Sequence, residues 1–324
     1  MTRYRSLLWH GQKAPAPGSP VWRSKMTATK VSATFTPSRS PHQSYFKLWH
    51  EMAGNLEGTL ENDVLQRGRI LEPAIAAWFG EQHPEWNVRD PRGRWWVNPT
   101  DNRYAATPDR VVEQGGDVIG LLECKSAIDP TGWGKPGTDE IPPHYYDQCQ
   151  WQMFCTGERV TFVAVILALS FREYKVEYDP GHVRRLESAA SKFMDALAAG
   201  EAPSVDPDAG HLATYEAVRQ LHPEIQDSSR ELSWALAAEY VESRLELKAA
   251  EAKERAARTR VADAMGSARI ATYDGHPVAE RRARSPESRP FVQAARNLPT
   301  YILTPIDPVT LTNPDNDLTT KKAA

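Results

Sequence analysis

Residues 107–127, TPDRVVEQGGDVIGLLECKSA, constrain the fold more than any other stretch of the chain. Two β-prone runs, 103–113 and 118–125, flank Gly115-Gly116, and a glycine pair between such runs reads as a hairpin turn. Asp109 falls on the first strand. Glu123 and Lys125 fall two residues apart on the second, so strand alternation sends both to one face and Cys124 to the other. Leu121, Leu122 and Cys124 make the second strand largely apolar, which predicts burial. A carboxylate and an ammonium in a buried strand are costly unless paired or bound. Two carboxylates converging from adjacent strands call for a cation, and oxygen donors suit Mg²⁺ or Mn²⁺ rather than zinc. A neighbouring lysine can orient or deprotonate a water for attack on phosphorus. Metal-assisted phosphodiester hydrolysis is the chemistry this implies. Taken alone, a Glu-x-Lys is most simply a structural ion pair.

The flanking segments extend the pattern. Residues 62–80 carry Leu71, Ile75, Trp78 and Phe79 at helical spacing, with Gly80 as a stop. Glu72 lies on or beside that stripe, where a carboxylate makes sense if it reaches the hairpin site; the alternative is a cap before Pro73. Residues 144–156 form a second helix, stopped by Gly157, with Tyr145, Gln148 and Gln152 on one face. Amides there can hold a phosphate or the lysine; the alternative is a solvated polar face. Strands are predicted at 93–97, 160–170 and 171–178. A short helix within 38–54 presents Tyr45, Leu48, Trp49 and Met52. The order is that of an α/β core.

Charge and composition narrow the class. Net charge is −3, yet residues 1–50 hold eight Lys/Arg and no Asp or Glu, and residues 281–296 hold five Arg against one Glu. Basic patches on an acidic chain fit a surface that meets phosphate; a merely solvated arm is the plain alternative. The most apolar run, 160–171, has strand length, so no transmembrane helix is predicted and no membrane partner. Three cysteines without CxxC spacing exclude a four-thiolate metal site and suit a reducing cytoplasm. The chain divides into a flexible lead (1–21), a core domain (22–200), a Pro/Asp linker (201–227), a long charged helix plus small hairpin (228–304) and a disordered tail (305–324). Ser228 with Glu231 reads as a capping box for the long helix and Gly266 as its stop, with the hairpin turning at Asp274-Gly275.

Pro108-Asp109 fourteen residues before Glu123-Cys124-Lys125 is the pattern of the PD-(D/E)xK nuclease superfamily. In order along the chain stand MTATKVSATFTPSRSPHQSYFKLW, Arg67-Gly68 to Glu72-Pro73, Thr107-Pro108-Asp109, Glu123-Cys124-Lys125 and HYYDQCQWQ. Together these blocks, over residues 22–180, resemble the YqaJ-type viral recombinase family, to which phage lambda exonuclease belongs. The sequence departs from the family at Lys30, where an acidic residue is common, and at Pro37, where glycine is common. The resemblance implies a restriction-endonuclease-like α/β core, a central mixed sheet flanked by helices, here with a helical C-terminal extension. It implies that Asp109, Glu123 and the backbone carbonyl of Cys124 bind metal, that Lys125 activates the water, that Glu72 helps to hold a second ion, and that Gln148 supports the site. Two Mg²⁺ ions are implied, with Mn²⁺ as a substitute. Arg23, Thr27, Thr29 and Thr107 are implied to grip a terminal 5′-phosphate. The family degrades duplex DNA from the 5′ end and leaves 3′ single strands for an annealing partner, in some members as a ring-shaped trimer, in the host cytoplasm. Two other readings share the residues: a PD-(D/E)xK endonuclease of restriction or junction-resolving type, and a catalytically silent DNA-binding accessory protein.

Overall fold

The computed structural model describes residues 11–16, 18–56, 62–295 and 298, and divides into two units, 1–225 and 226–324. The first runs β1 (Gln12–Lys13), α1 (Pro20–Arg23), β2 (Met26–Thr27), a 3₁₀ turn (Val31–Thr34), α2 (Tyr45–Met52), α3 (Asp63–Gln82), β3 (Asn87–Arg89), β4 (Arg94–Val97), β5 (Tyr104–Ala106), β6 (Arg110–Gln114), β7 (Asp117–Ala127), α4 (Pro143–Thr156), β8 (Val160–Leu167), β9 (Ser170–Glu177), α5 (Pro180–Ala199), a 3₁₀ turn (Asp206–Asp208) and α6 (Leu212–Leu221).

A five-stranded mixed sheet, ordered β3-β6-β7-β8-β9, forms the centre. Its pairs are antiparallel except β7 with β8, which run parallel and are joined through α4. Helices cover both faces. Ile75, Ala76 and Phe79 of α3 pack on Val112, Leu122, Cys124 and Ala164. Cys149 and Met153 of α4 pack on the other face against Val111, Leu121, Val163 and Val165. Strand alternation thus sends Leu122 and Cys124 to α3, and Leu121, with Glu123 and Lys125, to α4. This is the α/β core that the sequence implies. Gly115 and Gly116 both hold positive φ (60° and 90°), as the tight β6–β7 hairpin requires.

A second, four-stranded sheet, β1-β4-β5-β2, lies beside a core of Met26, Val31, Leu48, Trp49, Tyr104, Trp151, Leu186 and Phe193. It corrects the strand expected over 103–113. Tyr104–Ala106 belongs to this sheet and Arg110–Gln114 to the five-stranded one. Between them stand Thr107, Pro108 and Asp109. Pro108 has no N–H for a ladder and pushes its neighbour out of regular pairing, so the chain changes sheets there. Asp109 is therefore at a bend just before β6 rather than within a strand.

Other expectations shift in detail. Helix α3 starts at Asn62, whose side chain accepts from the Val64 and Leu65 N–H groups (both 3.0 Å), and Pro73 lies inside it. Glu72 is therefore no cap, and the helix runs past Gly80 to Gln82. The β8–β9 turn falls at Ala168-Leu169, both at positive φ, two residues before the expected boundary. Part of the expected lead is ordered, since Gln12 and Lys13 pair with Trp95 and Arg94. The expected linker holds α6. There Ala217, Val205, Val218 and Leu221 pack with Phe46 and Leu56, and Asp208 accepts from the Ser38 and Tyr45 N–H groups (2.8 and 3.0 Å). The expected tail, 305–324, lies outside the described residues.

The second unit consists of α7 (Trp234–Met265) and an antiparallel sheet of β10 (Ile270–Tyr273), β11 (His276–Arg282) and β12 (Phe291–Ala294). Met265, Val261 and Ala262 pack against Ala271, Ala279 and Val292. Helix α7 is capped by Ser233, which accepts from the Leu236 N–H, and not by Ser228. The six residues from 228 to 233 are all exposed, so extending the helix over them would bury nothing. The hairpin turns at Asp274-Gly275 as expected, and β12 adds a third strand. No helix among the described residues is long and apolar enough to cross a membrane.

Candidate active site

The site lies where β6, β7 and α4 meet. On β7, Glu123 is only 2 % exposed. Its carboxylate accepts from three donors: Lys125 Nζ and Gln148 Nε2 (2.5 Å) on Oε1, and Gln152 Nε2 (2.6 Å) on Oε2. Lys125 Nζ also donates to Gln148 Oε1 (3.1 Å) and lies 4.7 Å from the centre of the Tyr145 ring. Tyr145, Gln148 and Gln152 face the sheet from α4, so this face is part of the site and not solvated. Asp109 reaches across from the start of β6, its Oδ2 accepting from the Cys124 N–H at 2.8 Å. The pairing of Arg110 with Leu122 sets this register.

Charge is concentrated here. Burial, and then the negative charge of Glu123, push the Asp109 carboxyl well above its ordinary range. Burial pulls Lys125 down, but the Glu123 and Asp109 charges outweigh it and leave the ammonium more firmly protonated than usual. A protonated lysine donates and does not accept, so Lys125 can orient a bound group through its N–H groups but cannot take up a proton. The Cys124 thiol points to the α3 side, and burial together with the Asp109 and Glu123 charges raises its pKa, so it stays neutral.

Glu72 comes close enough for its charge to act on Asp109, but its Oε1 is held by Arg110 Nη1 at 2.6 Å, and Arg110 also donates to the Asp109 carbonyl at 2.5 Å. Arg110 went unnoticed in the sequence. Its only signal was a cation directly after Asp109, within reach of the helix carrying Glu72. Among the described residues no three His, Cys, Asp or Glu side chains gather as a ready metal cage. The oxygen donors that do converge are Asp109 and Glu123. Two carboxylates match a small hard cation that keeps several waters, and the crowding of negative charge on Asp109 is what such a cation relieves.

The N-terminal candidates are brought together in part. Strand β2 lies parallel to β5, with Thr27 opposite Ala105, and β5 leads on to Thr107 and Asp109. The Thr27 and Thr29 hydroxyls are 3.3 Å apart, and Thr29 and Thr107 are exposed. Arg23 ends α1, and among the described residues it makes no hydrogen bond to either hydroxyl. Lys30, the departure in this segment, is buried. Its ammonium donates to the carbonyls of Trp22, Arg23 and Lys25 (3.2, 3.3 and 2.8 Å) and so closes the end of α1. Burial lowers its pKa to about 8 against the opposing charge of Glu51. A network absent from the sequence reading holds α4 in place. Buried Asp147 accepts from Ser32 Oγ (2.9 Å), lies 2.6 Å from His182 Nε2, and pairs with Arg39 (3.1 Å).

A family model described as the YqaJ-like viral recombinase domain matches residues 19–159. By this match residues 19–159 are similar to that family's domain. Asp109, Glu123, Lys125, Gln148, Gln152, Glu72 and Arg110 all fall within it. A comparison with curated protein sequences finds no match. Among solved structures, an alkaline exonuclease (LHK-Exo) from Laribacter hongkongensis aligns at 25% identity and TM-score 0.43, over 55% of this chain and 89% of that one. Its complex with dAMP aligns at 26% and 0.44, over 56% and 91%. A phage-related exonuclease from Haemophilus somnus 129PT aligns at 12% and 0.39, over 54% and 96%.

Proposed function

We propose that the YqaJ-like domain is a divalent-metal-dependent deoxyribonuclease that shortens linear duplex DNA from its 5′ ends. The 3′ single strands left behind would pass to an annealing protein in recombination. The observation that carries this reading is the convergence of Asp109 on the largely buried Glu123–Lys125 pair. Asp109 and Glu123, with the Cys124 carbonyl, would hold Mg²⁺, or Mn²⁺ in its place. The ion would neutralise charge on the scissile phosphate and make a bound water more acidic. A second ion would require Glu72 to exchange Arg110 for metal. Within the chain, Lys125 is fixed by Glu123 and Gln148 so that its N–H groups direct a water toward phosphorus and meet the charge that develops there. Arg23, Thr27, Thr29 and Thr107 would receive the terminal 5′-phosphate, since a dianion rewards guanidinium and hydroxyl donors more than an internal diester does.

Digestion of end-labelled linear duplex, with and without 5′-phosphate, beside closed circular duplex, in Mg²⁺ and in EDTA, tests the reading. The expected result is Mg²⁺-dependent shortening of linear DNA, faster on phosphorylated ends, with circles intact. Replacing Arg23 or Thr29 should shrink the preference for the phosphate. Circles nicked as fast as linear DNA is shortened would transfer the same residues to an endonuclease. Undiminished cleavage in EDTA would remove the metal from the account.

A further inference from the structure

The Glu123 carboxylate is held by more donors than a structural ion pair needs. Gln148 and Gln152 stand four residues apart on α4, so both project from one face one turn apart. Each gives its amide N–H to a different oxygen of Glu123, at 2.5 and 2.6 Å. Their other ends differ. Gln148 Oε1 accepts from Lys125 (3.1 Å), whereas Gln152 Oε1 is buried with no hydrogen-bond partner. Gln152 is fully buried, where a leucine or methionine of similar volume would strand no carbonyl. A stranded buried acceptor is destabilising. The amide is therefore explained by what its N–H does and not by packing.

We propose that Gln152 is a positioning residue of the cation site, which with Gln148 clamps the Glu123 carboxylate, one amide per oxygen, so that it meets a hard cation in one orientation. This rests on the metal-dependent nuclease reading. Partners that orient a metal ligand typically matter about 10–100-fold in metal affinity. Gln152 then fixes the direction of Oε2 while Lys125 remains bound to Oε1. Losing it leaves Glu123 free to turn about its last bond and draws Lys125 out of line with the water.

The test is a Mn²⁺ titration of the full chain, following the electron-paramagnetic-resonance signal of free Mn²⁺, on wild type, Gln152→Leu, Gln152→Met and Glu123→Gln. Leucine and methionine keep the volume without the amide, and methionine's unbranched chain covers the case in which leucine does not fold. Melting in EDTA confirms folding. The expected result is Mn²⁺ binding weakened about 10-fold or more in either Gln152 variant. In the Glu123→Gln background, Gln152→Leu should change affinity less than about twofold, because the two act as one unit. Wild-type affinity in a folded Gln152→Met protein would overturn the inference and leave the nuclease reading standing. Equal Mn²⁺ affinity in wild type and Glu123→Gln would instead strike at the metal site itself.

Discussion

Replacing Glu123 with alanine should destabilise the metal-free protein, while replacing Asp109 with asparagine should not. Glu123 is almost wholly buried and accepts from Lys125, Gln148 and Gln152. Its loss strands a buried ammonium and two buried amides. Breaking a buried pair from one side costs about 3–5 kcal/mol, and each stranded donor about 1–3 kcal/mol. Lys125 keeps Gln148 and the nearby charge of Asp109, and repulsion on Asp109 is relieved, so the low end applies: about 3 kcal/mol. For a unit of this size that lowers Tm by about 6–12 °C. Asp109 is the opposite case. Asparagine keeps an acceptor for the Cys124 N–H and removes a charge crowded by Glu123. Because the folded carboxyl titrates above its unfolded value, its charge costs stability at any pH above the unfolded pKa. The advantage of asparagine is therefore present at pH 7, shrinks as pH falls below the raised folded pKa, and is gone below the unfolded value of about 3.9. Urea unfolding followed by tryptophan fluorescence in EDTA measures both. A Glu123→Ala protein as stable as wild type, or Asp109→Asn destabilised to the same degree, would refute the clamp.

Cys124→Ala should retain near wild-type cleavage, since the thiol faces α3; its cost is about 1 kcal/mol of stability by calorimetry, and inactivation without unfolding would mean that the strand register is misread. Gly120→Ala should cost about 1–3 kcal/mol, because the added Cβ would stand 2.8 Å from the Val160 carbonyl and force β7 away from β8, displacing Glu123; an unchanged Tm would contradict the close approach. His144 is pushed down to about 4 by burial and by the charges of His42 and Lys125. Its neutral form supports the fold in full above about pH 6.5, and that support is lost as pH falls toward 4. His144→Gln should accordingly flatten the acid side of a Tm-against-pH profile, and a superimposable profile would exclude His144 from it.

How far the site could be read from the sequence depended on which forces fix each residue. The Gly115-Gly116 turn and the two-residue alternation of Glu123 and Lys125 are local, and backbone geometry alone carried them to the right face of β7. Helix α4 was legible for the same reason, because Gly157 ends it and its apolar positions match the sheet. Asp109 was misplaced by one element because a strand pattern runs through Pro108, while the missing N–H there hands the chain to another sheet. The Arg110–Glu72 pair joins residues 38 apart, and no local signal announces it. Helix α6 hid in a Pro/Asp-rich stretch because tertiary contacts stabilise it: Asp208 ties back to Ser38 and Tyr45, far away in sequence. The turn at Ala168-Leu169 lacks any turn-forming residue, and only the pairing of β8 with β9 holds it at positive φ.

The most direct test compares wild type with Lys125→Ala on end-labelled linear duplex in Mg²⁺, with DNA binding measured on the same samples in Ca²⁺. Lys125 is bound to Glu123 and Gln148, and in the proposed function it acts on a water rather than holding the duplex. The variant should bind DNA as wild type does and cleave it slower by roughly 10²-fold or more, the usual worth of one preorganised hydrogen-bond donor to the transition state. Cleavage by Lys125→Ala at the wild-type rate, or no cleavage by wild type in either Mg²⁺ or Mn²⁺, would contradict the assignment of Asp109, Glu123 and Lys125 as the hydrolytic centre.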